Sequence, residues 1–165
     1  MKAVSLALLL AASVTYAAQS QMGPEQVLAK VHEINASEIR LGEMARSKGQ
    51  SDQVKEFGEM LVEEHRKAEE KVMEFARQNS LAVGQASPDP KQKQTFDRLK
   101  GLRGRQFDSE FVRVMHEEHM KAIQMLRDAQ GNPENERITG LIADILPALE
   151  KHHERAMEIQ QALRR

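Results

Sequence analysis

The sequence has no cysteine and no tryptophan, and its single tyrosine, Tyr16, stands near the start. Without cysteine there are no disulfides and no thiolate metal ligands, so stability must come from packing, a bound ion or association. With aromatics at only 4 % of the chain, strands lack the residues they favour, and no strand candidate is found. Charge of one sign is also missing: 24 Lys and Arg face 25 Asp and Glu. That balance excludes the basic excess that phosphate backbones require, and with it a nucleic-acid partner. No phosphate-cradling loop, nucleophile elbow or zinc-protease helix motif is present, so no catalytic residues are assigned and an enzyme is the least favoured class.

Long apolar runs are scarce as well. The one run, Ala3 to Val14, follows Lys2 and precedes Thr15-Tyr16-Ala17, which is the pattern of a secretory signal peptide cut after Ala17. It is too short to anchor the chain across a bilayer, and no cysteine follows to carry a lipid. Residues 18–165 are therefore expected as one periplasmic domain without a transmembrane segment.

What the chain does contain is Glu, Lys, Arg, Ala, Leu, Gln and Met, a helix-favouring mixture. Gly23-Pro24-Glu25 reads as a helix start, Gly49 to Asp52 as a stop and a new cap, and Gly131-Asn132-Pro133-Glu134 as the same pattern repeated. Ser80 to Pro90, with Gly84 and Pro88, is the extended linker. These marks predict long helices near 25–47, 52–79, 104–130 and 133–163, with a short one near 91–100 on the crossover. The fold class is an all-α four-helix bundle of two antiparallel hairpins. Pro147 should kink the last helix.

Each long helix carries an apolar stripe stepping by four and three residues, and each stripe is interrupted by ligand-type side chains. Glu38 interrupts Val27, Val31, Ile34, Leu41; His65 interrupts Val54, Leu61, Ala68, Val72. Asp108 and His119 share a stripe with Val112, Met115, Ala122 and Leu126, and His152 follows Ile138, Ile142, Ile145, Leu149. A buried carboxylate or imidazole costs several kcal/mol unless it is paired. At a rise of about 1.5 Å per residue, Glu38, His65 and His119 fall within roughly 8 Å of one height. Asp108 and His152 fall within roughly 5 Å of each other, on the order of 10 Å further along. The expectation is a Glu-His-His cluster and a separate Asp-His pair. His32, His116 and His153 flank the stripes and read as boundary residues. Met115, Met120 and Met125 read as core filler rather than thioether ligands, and Glu63-Glu64 and Glu69-Glu70-Lys71 as a solvated face.

Glu38-Ile39-x-Leu41-Gly42, Met60-x-x-x-x-His65, Phe107-Asp108-x-x-Phe111 with Glu118-His119, and Leu146-Pro147-x-Leu149-x-x-His152 together resemble domain-of-unknown-function family 4142. The resemblance covers nearly the whole expected mature chain. It implies an exported, ferritin-like four-helix protein of the periplasm or outer membrane, with recurrent polar positions at Glu38, His65, Asp108, His119 and His152. Met115-x-x-x-His119-x-x-Ala122-Ile123-x-Met125 is similar to part of the signature of family 305, some of whose members are associated with copper. Two adjacent histidines are usual there, whereas Glu118 precedes His119 here. Di-iron members of the ferritin-like group use Glu-x-x-His on two helices, and this chain offers that spacing only at Glu150 and His153.

The leading expectation is a metal-binding bundle. Glu38, His65 and His119 are its first ligands, Asp108 and His152 are further ligands or an orienting pair, and Zn, Cu or Fe is the ion. The competing expectation is a metal-free polar network in a structural or stress-related envelope protein, with an envelope partner or a second copy at its surface.

Overall fold

In a computed structural model, which describes residues 22–87 and 90–165, the chain is α-helical, with no strand among the described residues. The expected leader over residues 1–17 lies outside them. Helix α1 spans Pro24–Lys48, α2 Asp52–Gln78, α3 Pro90–Gly101, α4 Gly104–Gln130 and α5 Thr139–Leu163, with a 3₁₀ turn over Pro133–Ile138.

The helix starts follow local chemistry. Pro24 takes the first position of α1, and the Gln26 side-chain oxygen accepts the Gly23 N–H at 3.0 Å. Ser51 caps α2, its hydroxyl accepting the Val54 N–H at 3.3 Å. Helices α1 and α2 form one hairpin and α4 and α5 the other, with α2 against α5 and α1 against α4 closing the bundle. Helix α3 lies across α1 and α4, held by buried Leu99 and by the Lys48 ammonium, which donates to the Leu99 carbonyl at 3.0 Å.

The first hairpin is tightest where two glycines face each other. A Cβ on Gly58 would stand 2.6 Å from the Gly42 carbonyl oxygen, and one on Gly42 would stand 2.7 Å from that of Gly58. Both neighbours are backbone, so neither can swing aside. Gly58→Ala is expected to lose about 1 to 3 kcal/mol of stability to overpacking, while Gly140→Ala, in α5 with nothing within 4 Å of its new methyl, gains roughly 0.5 to 1 kcal/mol. Denaturant midpoints check the pair, and equal midpoints for wild type and Gly58→Ala would refute the close-packing argument.

The core is divided. One apolar cluster gathers Leu28, Val72, Leu126 and Ile142; the other gathers Phe57, Leu61, Phe111, Met115 and Ile159. Between them, on all four long helices, lies a buried polar layer of Asn35, Glu38, His65, His119 and His152.

One expectation changes. The last helix does not begin at Pro133: residues 133–138 form the 3₁₀ turn, which packs against α1, α4 and α5 at the bundle's end. There the buried Asn135 amide donates to the carbonyls of Ala129, at 2.9 Å, and Met22, at 3.0 Å. Helix α5 runs from Thr139 to Leu163 with Pro147 inside it, as the expected boundaries of the last helix require.

Candidate metal centre

The separate Asp108–His152 pair is not formed, and the reason is one of register. Counting 133–138 as axial helix adds about 9 Å of travel, nearly the whole separation expected between the two polar groups. Those residues instead cross the end of the bundle. Counted from Thr139, His152 lies about 20 Å along α5 and His119 about 17 Å back along α4 from Gln130, so both histidines fall in one layer. Asp108, eleven residues before His119, remains a further 17 Å or so away. Its two carboxylate oxygens accept the backbone N–H groups of Gln50 and Ser51, each at 2.8 Å. It ties α4 to the turn between α1 and α2.

Within the layer every histidine has one nitrogen fixed by an outer acceptor. The Asn35 amide nitrogen donates to Glu69 Oε2 at 3.0 Å, which turns its oxygen towards His65 Nδ1 at 2.9 Å. Because that oxygen only accepts, His65 Nδ1 carries the proton. His119 Nδ1 lies 2.9 Å from the Met115 carbonyl, and His152 Nε2 lies 2.9 Å from Glu64 Oε2, so both of these nitrogens donate too. In the neutral rings this leaves His65 Nε2, His119 Nε2 and His152 Nδ1 as bare lone pairs.

These lone pairs converge. Glu38 Oε2 lies 2.9 Å from His65 Nε2 and 3.1 Å from His119 Nε2, and His119 Nε2 is 3.2 Å from His152 Nδ1. One ligand atom from each histidine can be chosen so that all three lie within 4.8 Å of one another. Distance alone does not satisfy them: His65 Nε2 and both oxygens of Glu38 are buried without a hydrogen bond of acceptable direction. With metal–nitrogen bonds of about 2.1 Å at tetrahedral angles, two imidazole centres sharing an ion lie about 5 Å apart. The observed ring separations are 5.1, 5.2 and 5.8 Å. The three imidazoles therefore fit a single transition ion, with the Glu38 carboxylate against two of them.

Electrostatics favour the same protonation states. Burial pushes the Glu38 pKa up, but His119, His65 and His152 outweigh it as they take up protons in acid and hold the carboxyl at about 2. Burial lowers His119, with Glu38 opposing, and burial followed by His119 and His65 brings His152 down to about 4. Both rings are therefore neutral near pH 7, the form that binds metals.

The sign of the pH dependence follows. Between pH 6.5 and about 4 the unfolded chain protonates His152 while the folded chain does not, so stability falls as pH drops through that window. Glu38 stabilises above pH 4.5, and this is lost as pH falls towards 2. The metal-free protein is expected to lose on the order of 3 kcal/mol from the His152 contribution by pH 4. Urea denaturation from pH 7 to 4 measures it, and a flat profile contradicts the buried neutral imidazole.

Cavities approach the layer from two sides. A cavity of about 240 Å³, walled by Ile34, Leu41 and Val114 with Lys30, Lys91 and Lys121, reaches Glu38 from the side of α1, α3 and α4. A second, of about 300 Å³, reaches His65 and His152 between α2 and α5 beside Glu64 and Asp144. The ligand atoms Glu38 Oε1, Glu38 Oε2 and His65 Nε2 are themselves closed to solvent, so an ion reaches them only as the helices breathe.

Spacing placed Glu38, His65, His119 and His152 on inward faces, which burial bears out, but set His152 at the wrong height and missed the groups that hold the rings. Asn35, Glu64 and Glu69 fix the outer nitrogen of His65 and of His152 directly or through one partner. Glu64 and Glu69 were expected on a solvated face; instead Glu64 is only half-buried behind His152 and Lys151, and Glu69 also meets His32 Nδ1. Asn35 was legible in principle, standing one turn before Glu38 on the inward side of α1. Met115 is core filler as expected, and Met125 packs partly buried, but Met120 is half exposed.

No helix of the described residues is long and apolar enough to cross a membrane. No curated protein and no solved structure matches the chain. A family model described as "Domain of unknown function (DUF4142)" matches residues 10–159.

Proposed function

We propose that this chain, which belongs to the DUF4142 family, is an exported periplasmic bundle whose core holds one transition-metal ion through His65, His119, His152 and Glu38. The observation that carries the reading is the convergence of three bare imidazole nitrogens, two of them against a buried carboxylate, each ring's other nitrogen being fixed by an outer acceptor. Acceptors brought this close repel one another unless a cation lies between them. Outer hydrogen bonds that set the tautomer are the usual support of metal-bound histidine. Zn, Cu and Fe all accept imidazole with carboxylate. In this reading the residues hold and orient the ion, and the role is binding.

The test is elemental mass spectrometry of the mature chain, expressed with its leader in a periplasm and purified without tag or chelator. One equivalent of Zn, Cu or Fe per chain is expected. A folded protein carrying no transition metal, which takes none up on titration, would overturn the reading.

A second reading has its own support in the same layer. One shared proton between Glu38 and His65 or His119, at 2.9 and 3.1 Å, would make a metal-free polar network that holds the helices in register. It predicts stability indifferent to added metal.

A further inference from the structure

We propose that His116 and His153 form a second, shallower metal site on the outer face of α4 and α5, with Met120 as a third donor, and that its ion is Cu(I). The site uses none of the core ligands and stands whether or not the core is occupied.

The two rings lie side by side, centres 4.7 Å apart and planes 21° from parallel. His116 Nδ1 and His153 Nε2 are both withdrawn from solvent, and neither has a hydrogen-bond partner. Two orphan nitrogens on adjacent rings are not what packing alone produces, because an unpaired buried polar atom costs about 1 to 3 kcal/mol. No carboxylate or carbonyl is placed to satisfy either of them. The pair therefore differs from the core histidines, whose outer nitrogens are all paired.

The ring separation is close to the roughly 5 Å at which two imidazoles share one ion. Rotation of either ring about Cβ–Cγ, a broad torsion for histidine, turns the orphan nitrogens towards a common point. Met120 stands one turn after His116 on α4 and is 50 % exposed, a poor position for core filler. It lines the same open cavity of about 420 Å³ as His153, with Glu150 and Glu154 at its rim. Two imidazoles and a thioether are a soft donor set. Such a set selects Cu(I) over the harder divalent ions.

The experiment is an anaerobic titration of the metal-free protein with Cu(I) in competition with a chromogenic chelator. Wild type is expected to bind one more equivalent than the His116→Ala/His153→Ala variant, and Met120→Leu to weaken that equivalent by more than about tenfold. His65→Ala/His119→Ala should retain it, which separates this site from the core. If wild type binds a single equivalent, its loss in His116→Ala/His153→Ala supports the outer site and counts against the core for Cu(I). Its survival there overturns the outer site. His116→Phe, which keeps a stacked ring in place and shows a folded circular-dichroism spectrum, must lose the same equivalent; retention at wild-type affinity also overturns the proposal.

Discussion

Saturation with the core ion raises the melting temperature of the wild-type protein by roughly 10 °C and leaves the His119→Leu variant unmoved. An ion that binds only the folded state at a hundred to a thousand times its dissociation constant stabilises by about 3 to 4 kcal/mol. In a chain of this length each kcal/mol moves the midpoint by about 2 to 4 °C. His119 is the sharpest probe because it is fully buried at the junction of the two apolar clusters, with Met115 and Ala122 on either side along α4. Leucine at that point continues an apolar stripe and fills similar space, so the variant keeps the fold while losing a ligand. Glu38→Gln is the companion: it preserves shape but removes the charge that offsets the ion, and weakens binding by about 10- to 100-fold. Differential scanning calorimetry with and without metal reads both. Equal metal-induced shifts in wild type and His119→Leu would place the ion elsewhere and favour the shared-proton network.

The second large effect concerns Asp108, which was expected beside His152 and yet does different work. Asp108→Ala is expected to destabilise the protein by about 2 to 3 kcal/mol while leaving core metal stoichiometry unchanged. The carboxylate is buried, and its two oxygens accept the N–H groups of Gln50 and Ser51 at the start of α2. Hydrogen bonds to a charged group are worth about 1.5 to 3 kcal/mol, and a negative charge at a helix N-terminus adds to this through the helix dipole. Partial access of water to the turn limits the loss. Asp108→Asn retains one acceptor and should recover part of the stability. Denaturant unfolding with parallel metal analysis tests this. Loss of the ion in a fully stable Asp108→Ala variant would return Asp108 to the ligand set.

The contrast between Asp108 and His152 shows where the sequence is readable. The stripes through Val27, Leu61, Met115 and Ile142 give the helices and their inward faces directly, since a repeat of four and three residues has one buried side. They also give Glu38, His65 and His119 as neighbours, because the α1–α2 turn is short and punctuated by Gly49 and Ser51. Height along α5 was not readable. Pro133-Glu134 is an equally good start for an α-helix and for a 3₁₀ turn, and local propensity does not say whether six residues advance along the axis or cross it. The consequence was to set His152 beside Asp108 instead of His119. Glu64 was missed for another reason. A glutamate beside its histidine on a charged helix looks solvated until the opposite helix supplies His152 Nε2 at 2.9 Å and Lys151 Nζ at 2.7 Å. Long-range partners of boundary residues have no periodic signature.

The central claim is that three imidazoles and one carboxylate share one ion, and X-ray absorption at the metal edge of the singly loaded protein tests it most directly. The account predicts three imidazole nitrogens and one carboxylate oxygen at about 2.0 to 2.2 Å, with one imidazole missing from the shell in His152→Ala. A shell of water and carboxylate oxygens, or one unchanged in His152→Ala, would contradict it.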